Sequence, residues 1–184
     1  MSTATQTMTL EAFLGLPETK PGSEFISGNI IQKPMPQGKH SRLQSKLSAV
    51  INQVSEDAKI AYAFTELRCS FGGDSVIPDI AVVRWDNIPR EPSGRVANKF
   101  EIPPDWAIEI LSPDQSVTKV LKKLLYCSEH GTELGWLINP TETTIILVLP
   151  GQRVQFLENK ATLPVLEGLE LSLTVEQVFG WLEF

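Results

Sequence analysis

The sequence contains few cysteines and no long apolar run. Cys69 and Cys127 are the only cysteines among its 184 residues, which is too few for a disulfide framework or a zinc knuckle. Because neither belongs to a CxxC pair, we expect both to be buried as small hydrophobic side chains. No apolar stretch approaches the roughly 20 residues of a membrane span, and residues 1–15 lack the basic start and apolar core of a signal peptide. These absences predict a cytoplasmic protein that does not enter a membrane.

Positive charge is also scarce, since the formal net charge is -6. Proteins that coat nucleic acid draw on clustered lysine and arginine, so this balance argues weakly against that class. A local basic segment nevertheless lies between residues 33 and 46 and contains no acid: Lys33, Lys39, Arg42 and Lys46. An acidic chain is also typical of a metal-dependent phosphodiesterase, because its metal ligands are carboxylates and the bound cation supplies positive charge.

Length and composition predict one globular domain over residues 1–184, with residues 1–8 as a flexible N-terminal tail. Helical and strand patterns alternate irregularly, which predicts an α+β fold of α/β-like character with a central mixed sheet flanked by helices. The predicted helices cover residues 9–14, 40–56, 116–130 and 175–182. The predicted strands comprise a hairpin over 24–31 and runs over 61–71, 76–83, 106–111, 134–139, 144–149 and 154–157. We expect the strand over 61–71 to pair with the next one through a turn at residues 72–74, and residues 86–104 to form a functional or disordered loop.

Two of the predicted strands carry a carboxylate among apolar residues. Asp79 lies within the run from Val76 to Val83, and Glu109 lies within the run from Trp106 to Leu111. An ionised carboxylate in a strand covered on both faces is costly unless a cation or a set of donors replaces its hydration. Two such carboxylates brought together predict a site for a hard cation.

Each carboxylate also has a structural interpretation. Asp79 follows Pro78 and is compatible with turn chemistry at the start of a strand. Glu109 is compatible with a buried acid paired with an arginine such as Arg68 or Arg84.

The predicted helix after Glu109 carries three lysines. At about 100° per residue, its apolar side is formed by residues 117, 120, 121, 124 and 125. Lys119 points away from that side, whereas Lys122 and Lys123 flank it on opposite edges. The helical periodicity therefore leaves Lys122 and Lys123 as alternatives for a lysine close to the carboxylates.

Several of these residues resemble a known nuclease pattern. Pro78-Asp79, then Glu109-Ile110-Leu111, then a lysine on the next helix resemble the PD-(D/E)xK nuclease superfamily. That superfamily places its lysine two residues after the second acid, where this chain has Leu111, so the lysine would come from the helix.

A narrower resemblance, to the Uma family of bacterial restriction endonucleases, covers about residues 8–182. It rests on the run from Glu109 to Pro113, on Lys122 four residues before Tyr126, and on the run from Trp136 to Pro140. The run from Glu24 to Gly28 and His40 at a helix start occupy matching places. Within this resemblance, the spacing to Tyr126 favours Lys122 over Lys123.

The resemblance implies a restriction-endonuclease-like fold and a magnesium-dependent endonuclease, with manganese as a substitute, that hydrolyses DNA through a metal-activated water. Asp79, Glu109 and the backbone carbonyl of Ile110 would bind the metal. Lys122 would orient the water or stabilise the transition state. The accessory candidates are His40, Glu24, Lys123 and Tyr126.

The expected partner is DNA. We expect phosphate contacts from Lys39, Arg42 and Lys46 and from a loop that carries Arg90, Arg95 and Lys99. Cleavage of both strands at a symmetric site would be simplest for a homodimer. Two alternatives stay open: a catalytically silent nuclease fold that binds nucleic acid or protein, and a metal-dependent hydrolase with another substrate.

Overall fold

The computed structural model describes residues 8–184. The predicted flexible tail therefore lies outside the described residues, except for the exposed Met8. In chain order the elements are α1 (Leu10–Leu14), β1 (Ser23–Ile26), β2 (Asn29–Gln32), α2 (Gly38–Ser55), β3 (Ala61–Thr65), β4 (Cys69–Phe71), β5 (Asp74–Val76), β6 (Ile80–Arg84), β7 (Trp106–Ile110), α3 (Val117–Glu129), β8 (Leu134–Asn139), β9 (Thr144–Leu149), β10 (Arg153–Leu157) and α4 (Val175–Gly180).

The larger sheet has six strands in the order β10-β9-β8-β7-β6-β3. Its pairs are antiparallel except for β7 and β8, which run parallel and are connected through α3. A parallel pair needs such a crossover, because a tight turn can join only antiparallel strands. The predicted mixed sheet with flanking helices is therefore confirmed.

Alternating side chains of this sheet face two separate cores. On one face, Ile80, Val82 and Trp106 pack with the apolar stripe of α2 and with α4. On the other face, Ala81 and Ala107 pack with α3 and with β4 and β5. Because both faces are covered, the central strands are apolar along their whole length, and β6 and β7 are buried at nearly every residue.

A smaller antiparallel sheet has the order β2-β1-β5-β4. The predicted hairpin at residues 24–31 is confirmed as β1 and β2. The predicted burial of both cysteines is also confirmed, since Cys69 on β4 and Cys127 on α3 are buried free thiols.

The prediction of one strand over residues 61–71 is wrong. The run divides into β3, which pairs with β6 in the larger sheet, and β4, which forms a hairpin with β5 in the smaller sheet. The chain leaves the larger sheet at Glu66, where φ is +51°. The turn at Gly72 and Gly73 therefore joins β4 to β5. The expected antiparallel pairing with the strand after Asp79 is nevertheless present, because β3 pairs with β6.

The prediction of a loop before β7 is confirmed, since no named strand lies between Trp85 and Asp105 and only a short 3-10 turn spans Trp85–Asn87. None of the helices in residues 8–184 combines the length and the apolar character that membrane crossing requires.

The hairpin turn between β4 and β5 tests how tightly the smaller sheet packs on α3. Gly72 and Gly73 both have positive φ, +61° and +96°, but a Cβ on Gly72 would collide with His130 and Tyr126, whereas one on Gly73 would meet open space. We expect Gly73→Ala to cost about 1–3 kcal/mol of unfolding free energy through backbone strain alone. Gly72→Ala should cost about 1–3 kcal/mol beyond its own strain because of overpacking.

Urea denaturation of the two variants beside the parent measures this difference. Gly73→Ala is a stringent control, because its φ lies further from the left-handed minimum. A Gly72→Ala variant that is as stable as the parent would contradict the close packing of this turn on α3.

Candidate active site

The two carboxylates singled out in the sequence lie opposite each other at one edge of the larger sheet. The antiparallel register of β6 and β7 pairs Ile80 with Ile108, so one step further places Asp79 across from Glu109. The N–H of Ile110 donates to Oδ2 of Asp79 at 2.7 Å. Both acids are 2% exposed. The interpretation of Asp79 as only a turn residue therefore does not account for its deep burial.

Asp79 has two basic neighbours besides this backbone donor. Nζ of Lys33, in the segment after β2, donates to Oδ1 at 2.7 Å. Nε2 of His40, in the first turn of α2, lies 3.0 Å from Oδ2. Burial acts to raise the pKa of Asp79, but the contact with His40 and the charge of Lys33 outweigh it and hold that pKa below its usual range.

Lys33 also connects Asp79 to a half-exposed acid. Its Nζ donates to the carbonyl of Ile77 at 2.8 Å and to Oε2 of Glu66 at 3.0 Å. Gln44 of α2 donates to Oε1 of Glu66 at 2.9 Å and to the carbonyl of Asp79 at 2.8 Å. Burial acts to lower the pKa of Lys33, but the carboxylates of Asp79 and Glu109 raise it above its usual value. Lys33 is therefore held as an ammonium.

Glu109 lies beside a second buried lysine. Nζ of Lys123 is 2.7 Å from Oε1 of Glu109 and donates to Oε1 of Glu24 on β1 at 2.8 Å. Oε1 of Glu109 is therefore ion-paired with the ammonium of Lys123. Burial raises the pKa of Glu109 to about 8; Lys123 opposes this shift and the charge of Asp79 adds to it.

Lys122 and Lys123, which the helical periodicity left as alternatives, differ in burial. Lys123 belongs to the buried stripe of α3 with Val120, Leu124 and Cys127, whereas Lys122 is exposed. The predicted apolar side was placed slightly off, because Leu121 and Leu125 are only partly buried and Cys127 completes the stripe. The geometry therefore puts Lys123, and not the favoured Lys122, beside the carboxylates.

A cavity of about 470 Å³ opens onto this cluster of charges. Asp79, Lys33, His40, Gln44 and Glu66 are among the residues that line it. A second cavity of about 350 Å³ is bordered by Glu24 and Lys123. A ligand would therefore reach Asp79 from the side of Lys33 and His40.

The donor set suits a hard cation only in part. Asp79 and Glu109 supply neighbouring buried oxygens, but Oε1 of Glu109 lies 2.7 Å from the ammonium of Lys123. In the part of the chain that the structure describes, no group of three or more His, Cys, Asp or Glu side chains is placed to hold a metal ion. Magnesium keeps several waters and accepts as few as one or two protein carboxylates, so this pair fits magnesium better than a metal that needs a full protein cage. At Ile110 it is the N–H that contacts Asp79.

The remaining candidates lie apart from the two carboxylates. Tyr126 donates to the carbonyl of Phe71 at 2.7 Å and stacks on its ring. Arg42 donates to the carbonyl of Trp181 and stacks over Phe184.

The other basic candidates are more accessible. Lys39 is exposed and Lys46 partly exposed on α2, and Arg95 and Lys99 are exposed in the loop before β7. Arg90 of that loop donates to carbonyls of its own segment. The alternative pairing of Glu109 with an arginine is not seen, since Arg68 pairs with Glu18 and Arg84 with Glu133.

Sequence reasoning named Lys33 only as part of the basic segment, not as a neighbour of Asp79, and it missed Gln44. Lys33 lies in an irregular segment between β2 and Pro34, where no periodicity reports burial. Gln44 lies on α2 between the buried Leu43 and Leu47, and its amide reaches the carbonyl of Asp79. A polar residue next to the apolar stripe is the one signal that the sequence offered for it.

The chain is similar to known proteins in both sequence and structure. Residues 10–176 match the Uma2 family, which is described as "Putative restriction endonuclease". The chain is also similar to a crystal structure described as "a putative nuclease belonging to DUF820" from Anabaena variabilis ATCC 29413. The two share 54% sequence identity over 95% of this chain and 99% of the other, with a TM-score of 0.93. No curated protein matches the chain.

The two adjacent lysines of α3 provide a matched test of the buried charge cluster. Lys123→Ala would leave Glu24 and Glu109 buried without their shared cation, and breaking a buried pair in this way costs about 3–5 kcal/mol. Lys122→Ala changes an exposed side chain and should stay within about 0.5 kcal/mol of the parent. Chemical denaturation of both variants checks the difference. A larger loss for Lys122→Ala than for Lys123→Ala would contradict the helix orientation described here.

Proposed function

We propose that this chain, which belongs to the Uma2 family of restriction endonucleases, is a magnesium-dependent nuclease that hydrolyses phosphodiester bonds of DNA. The family and the similar nuclease structure support a nuclease of restriction-endonuclease-like fold. The dependence on magnesium and the choice of DNA are our extension, based on the chemistry of the site.

One observation carries the proposal: Asp79 and Glu109 are buried opposite each other at the edge of β6 and β7. Two ionised carboxylates at directly opposed positions of neighbouring strands repel each other, and burial strengthens the repulsion. Such a pair is retained where it binds something positive. The cavity at Asp79 provides access for a phosphate group and for the water that would attack it.

Magnesium, or manganese in its place, would be held by Asp79 and Glu109, with the carbonyl of Ile110 as the proposed third protein ligand. When bound there, the cation would lower the pKa of a coordinated water and offset charge on the phosphate. Hydration completes its coordination, because magnesium keeps several waters.

The protein side chains supply orientation and fixed charge. His40 and the N–H of Ile110 hold Asp79 in one orientation through Oδ2. Lys123 places an ammonium at Glu109, so we assign to Lys123 the lysine role that the sequence pattern favoured for Lys122. A fixed charge in a dry site acts on the transition state without reorganising at the moment of reaction.

DNA would approach along the exposed basic side chains of α2 and of the loop before β7. Lys39, Lys46, Arg95 and Lys99 are accessible for phosphate contacts. Arg42 is already engaged by the C-terminal segment, so we rank it below them. A two-fold homodimer would place two such sites on the two strands of a symmetric duplex.

A specific observation favours a second candidate, a nuclease fold that binds nucleic acid or protein without cleaving it. Each buried carboxylate already has a cationic neighbour, Lys33 at Asp79 and Lys123 at Glu109. These ion pairs can maintain the fold without a metal. A hydrolase with another substrate is the third candidate, and parallel assays on RNA, nucleotides and DNA separate it from the first.

Isosteric variants of the carboxylates test the proposal. We expect Asp79→Asn and Glu109→Gln each to reduce magnesium-dependent DNA cleavage by at least about 100-fold. Substitution of residues that only contact the ligands of a metal already reduces metal affinity or activity by roughly 10- to 100-fold. Glu129→Gln, an exposed acid on α3, should cleave at the parental rate. Cleavage is measured on a mixed duplex substrate with and without magnesium, after circular dichroism has shown that each variant is folded.

Calorimetric titration with Mn²⁺ adds a readout that needs no substrate. Binding of about one ion per chain that both variants abolish would support the carboxylate pair as ligands. Full metal-dependent cleavage by Asp79→Asn would overturn the proposed mechanism. Folded protein that binds DNA but neither binds Mn²⁺ nor cleaves would favour the binding module.

A further inference from the structure

Lys33 differs from Lys123 in how firmly its surroundings hold it. Lys123 lies between two carboxylates, Glu24 and Glu109, whose side chains are 6% and 3% exposed. Lys33 bridges the buried Asp79 and Glu66, whose side chain is 46% exposed. Lys33 also lines the larger cavity, whereas Lys123 borders the other one. Lys33 therefore has room and an alternative acceptor towards the solvent.

The two oxygens of Asp79 have different partners. Oδ2 accepts from the N–H of Ile110 and faces His40. Oδ1 accepts from Lys33, its one hydrogen-bond partner in the described part of the chain. The ammonium of Lys33 uses all three of its donors, on Asp79, Glu66 and the carbonyl of Ile77.

A cation that binds Asp79 must therefore use the oxygen that Lys33 contacts. The backbone donor and His40 fix Oδ2, so Oδ1 is the oxygen left for a ligand bond. An ammonium at 2.7 Å from Oδ1 and a divalent cation at about 2.1 Å from it would lie close together as like charges. The two contacts oppose each other.

We propose that Lys33 is an exchangeable counter-ion of Asp79, which neutralises Oδ1 and gives it up when a divalent cation binds. This inference rests on the proposed function, because it takes Asp79 to be a metal ligand. Lys33 would then keep its contacts with Glu66 and the carbonyl of Ile77. It would lose one acceptor of three, which is the change that a cation at Oδ1 requires.

Glu66 is held close to Asp79 by hydrogen bonds, in a position where it can keep the ammonium of Lys33. Its backbone has φ of +51°, and its N–H donates to the carbonyl of Asp79 at 3.2 Å. Its Oε1 is held by Gln44, which leaves Oε2 for Lys33. The same glutamine holds the carbonyl of Asp79. The two carboxylate acceptors of Lys33 are therefore tied to one another through Gln44, and in the proposed exchange Nζ moves from Asp79 towards Glu66.

The exchange has a consequence for affinity. While Lys33 neutralises Oδ1, only part of the population presents Asp79 to a metal, and the apparent affinity is reduced by that fraction. The negative charge of Glu66 draws Lys33 away and so favours the metal. Lys33 and Glu66 should thus act on metal affinity in opposite directions and through each other.

The test is a double-mutant cycle read by Mn²⁺ calorimetry on the full chain. We expect Lys33→Met to tighten Mn²⁺ binding by about tenfold, within the usual range for coupled sites. Glu66→Gln should weaken binding in the parent. In the Lys33→Met background, Glu66→Gln should change it by less than about twofold, because neighbouring residues that act through each other are not additive. Lys160→Met, at an exposed site, is the control and should bind like the parent.

The cycle separates exchange from simpler explanations. If Glu66 were a metal ligand, or if both residues acted only through their long-range charge, Glu66→Gln would weaken binding equally in both backgrounds, which would overturn the proposal. Unchanged or weaker binding by Lys33→Met would also overturn it. Absence of Mn²⁺ binding by the parent would instead overturn the magnesium site itself, and the exchange with it.

A crystal structure of the parent chain with Mn²⁺ gives a second measurement that does not depend on whether Lys33→Met folds. We expect the ion on Oδ1 of Asp79, with Nζ of Lys33 beyond hydrogen-bond distance of that oxygen but still bonded to Glu66 and the carbonyl of Ile77. An ion on Asp79 with Lys33 still hydrogen-bonded to Oδ1 would refute the exchange while leaving the metal site intact.

Discussion

The burial of Asp79 opposite Glu109 is the constraint on which the surrounding structure depends. Two carboxylates in a sheet covered on both faces lose their hydration, and the fold replaces it with ammonium groups, a histidine and a backbone N–H. An isolated buried charge would shift its pKa and become neutral, as burial drives Glu109 to do. Lys33 and Lys123 are therefore structural requirements of the same sheet edge that we propose as the catalytic centre.

The architecture supplies each of these partners from a different element. Lys123 comes from the crossover helix α3, Glu24 from the smaller sheet, and His40 from α2. A core of apolar residues at the same places would be simpler to stabilise, because well-packed hydrophobic side chains often replace a buried ion pair without loss. Sequences depart from such local rules mainly at functional sites. The cluster of charges therefore has a functional interpretation that does not depend on the family match.

Much of the fold could be predicted from the sequence, because periodicity and turn residues report it directly. The mixed sheet, the covering helices and the restriction-endonuclease-like fold agree with expectation. The division of residues 61–71 into two strands could not be predicted, because the break at Glu66 contains neither glycine nor proline. A residue other than glycine in the left-handed region carries no sequence signal of its own.

The candidate site was predictable at its two carboxylates and less so elsewhere. Asp79 and Glu109 interrupt apolar runs, so their placement together could be anticipated. A buried lysine on a helix has the same spacing as a lysine at a solvated edge, so the choice between Lys122 and Lys123 needed the actual packing of Cys127. Lys33 lies outside any periodic element, and its burial depends on tertiary contacts alone.

The sequence separations within the site bear on how the cluster of charges is assembled. Glu24 and Lys123 are 99 residues apart, and Lys33 and Asp79 are 46 residues apart. Contacts over such distances require the closure of long loops, which has an entropic cost that contacts between near neighbours in the chain do not have. A nascent or partly folded chain would therefore hold its acids and lysines far from one another. The cluster of charges therefore exists only once the smaller sheet, the central strands of the larger sheet and α3 have packed together.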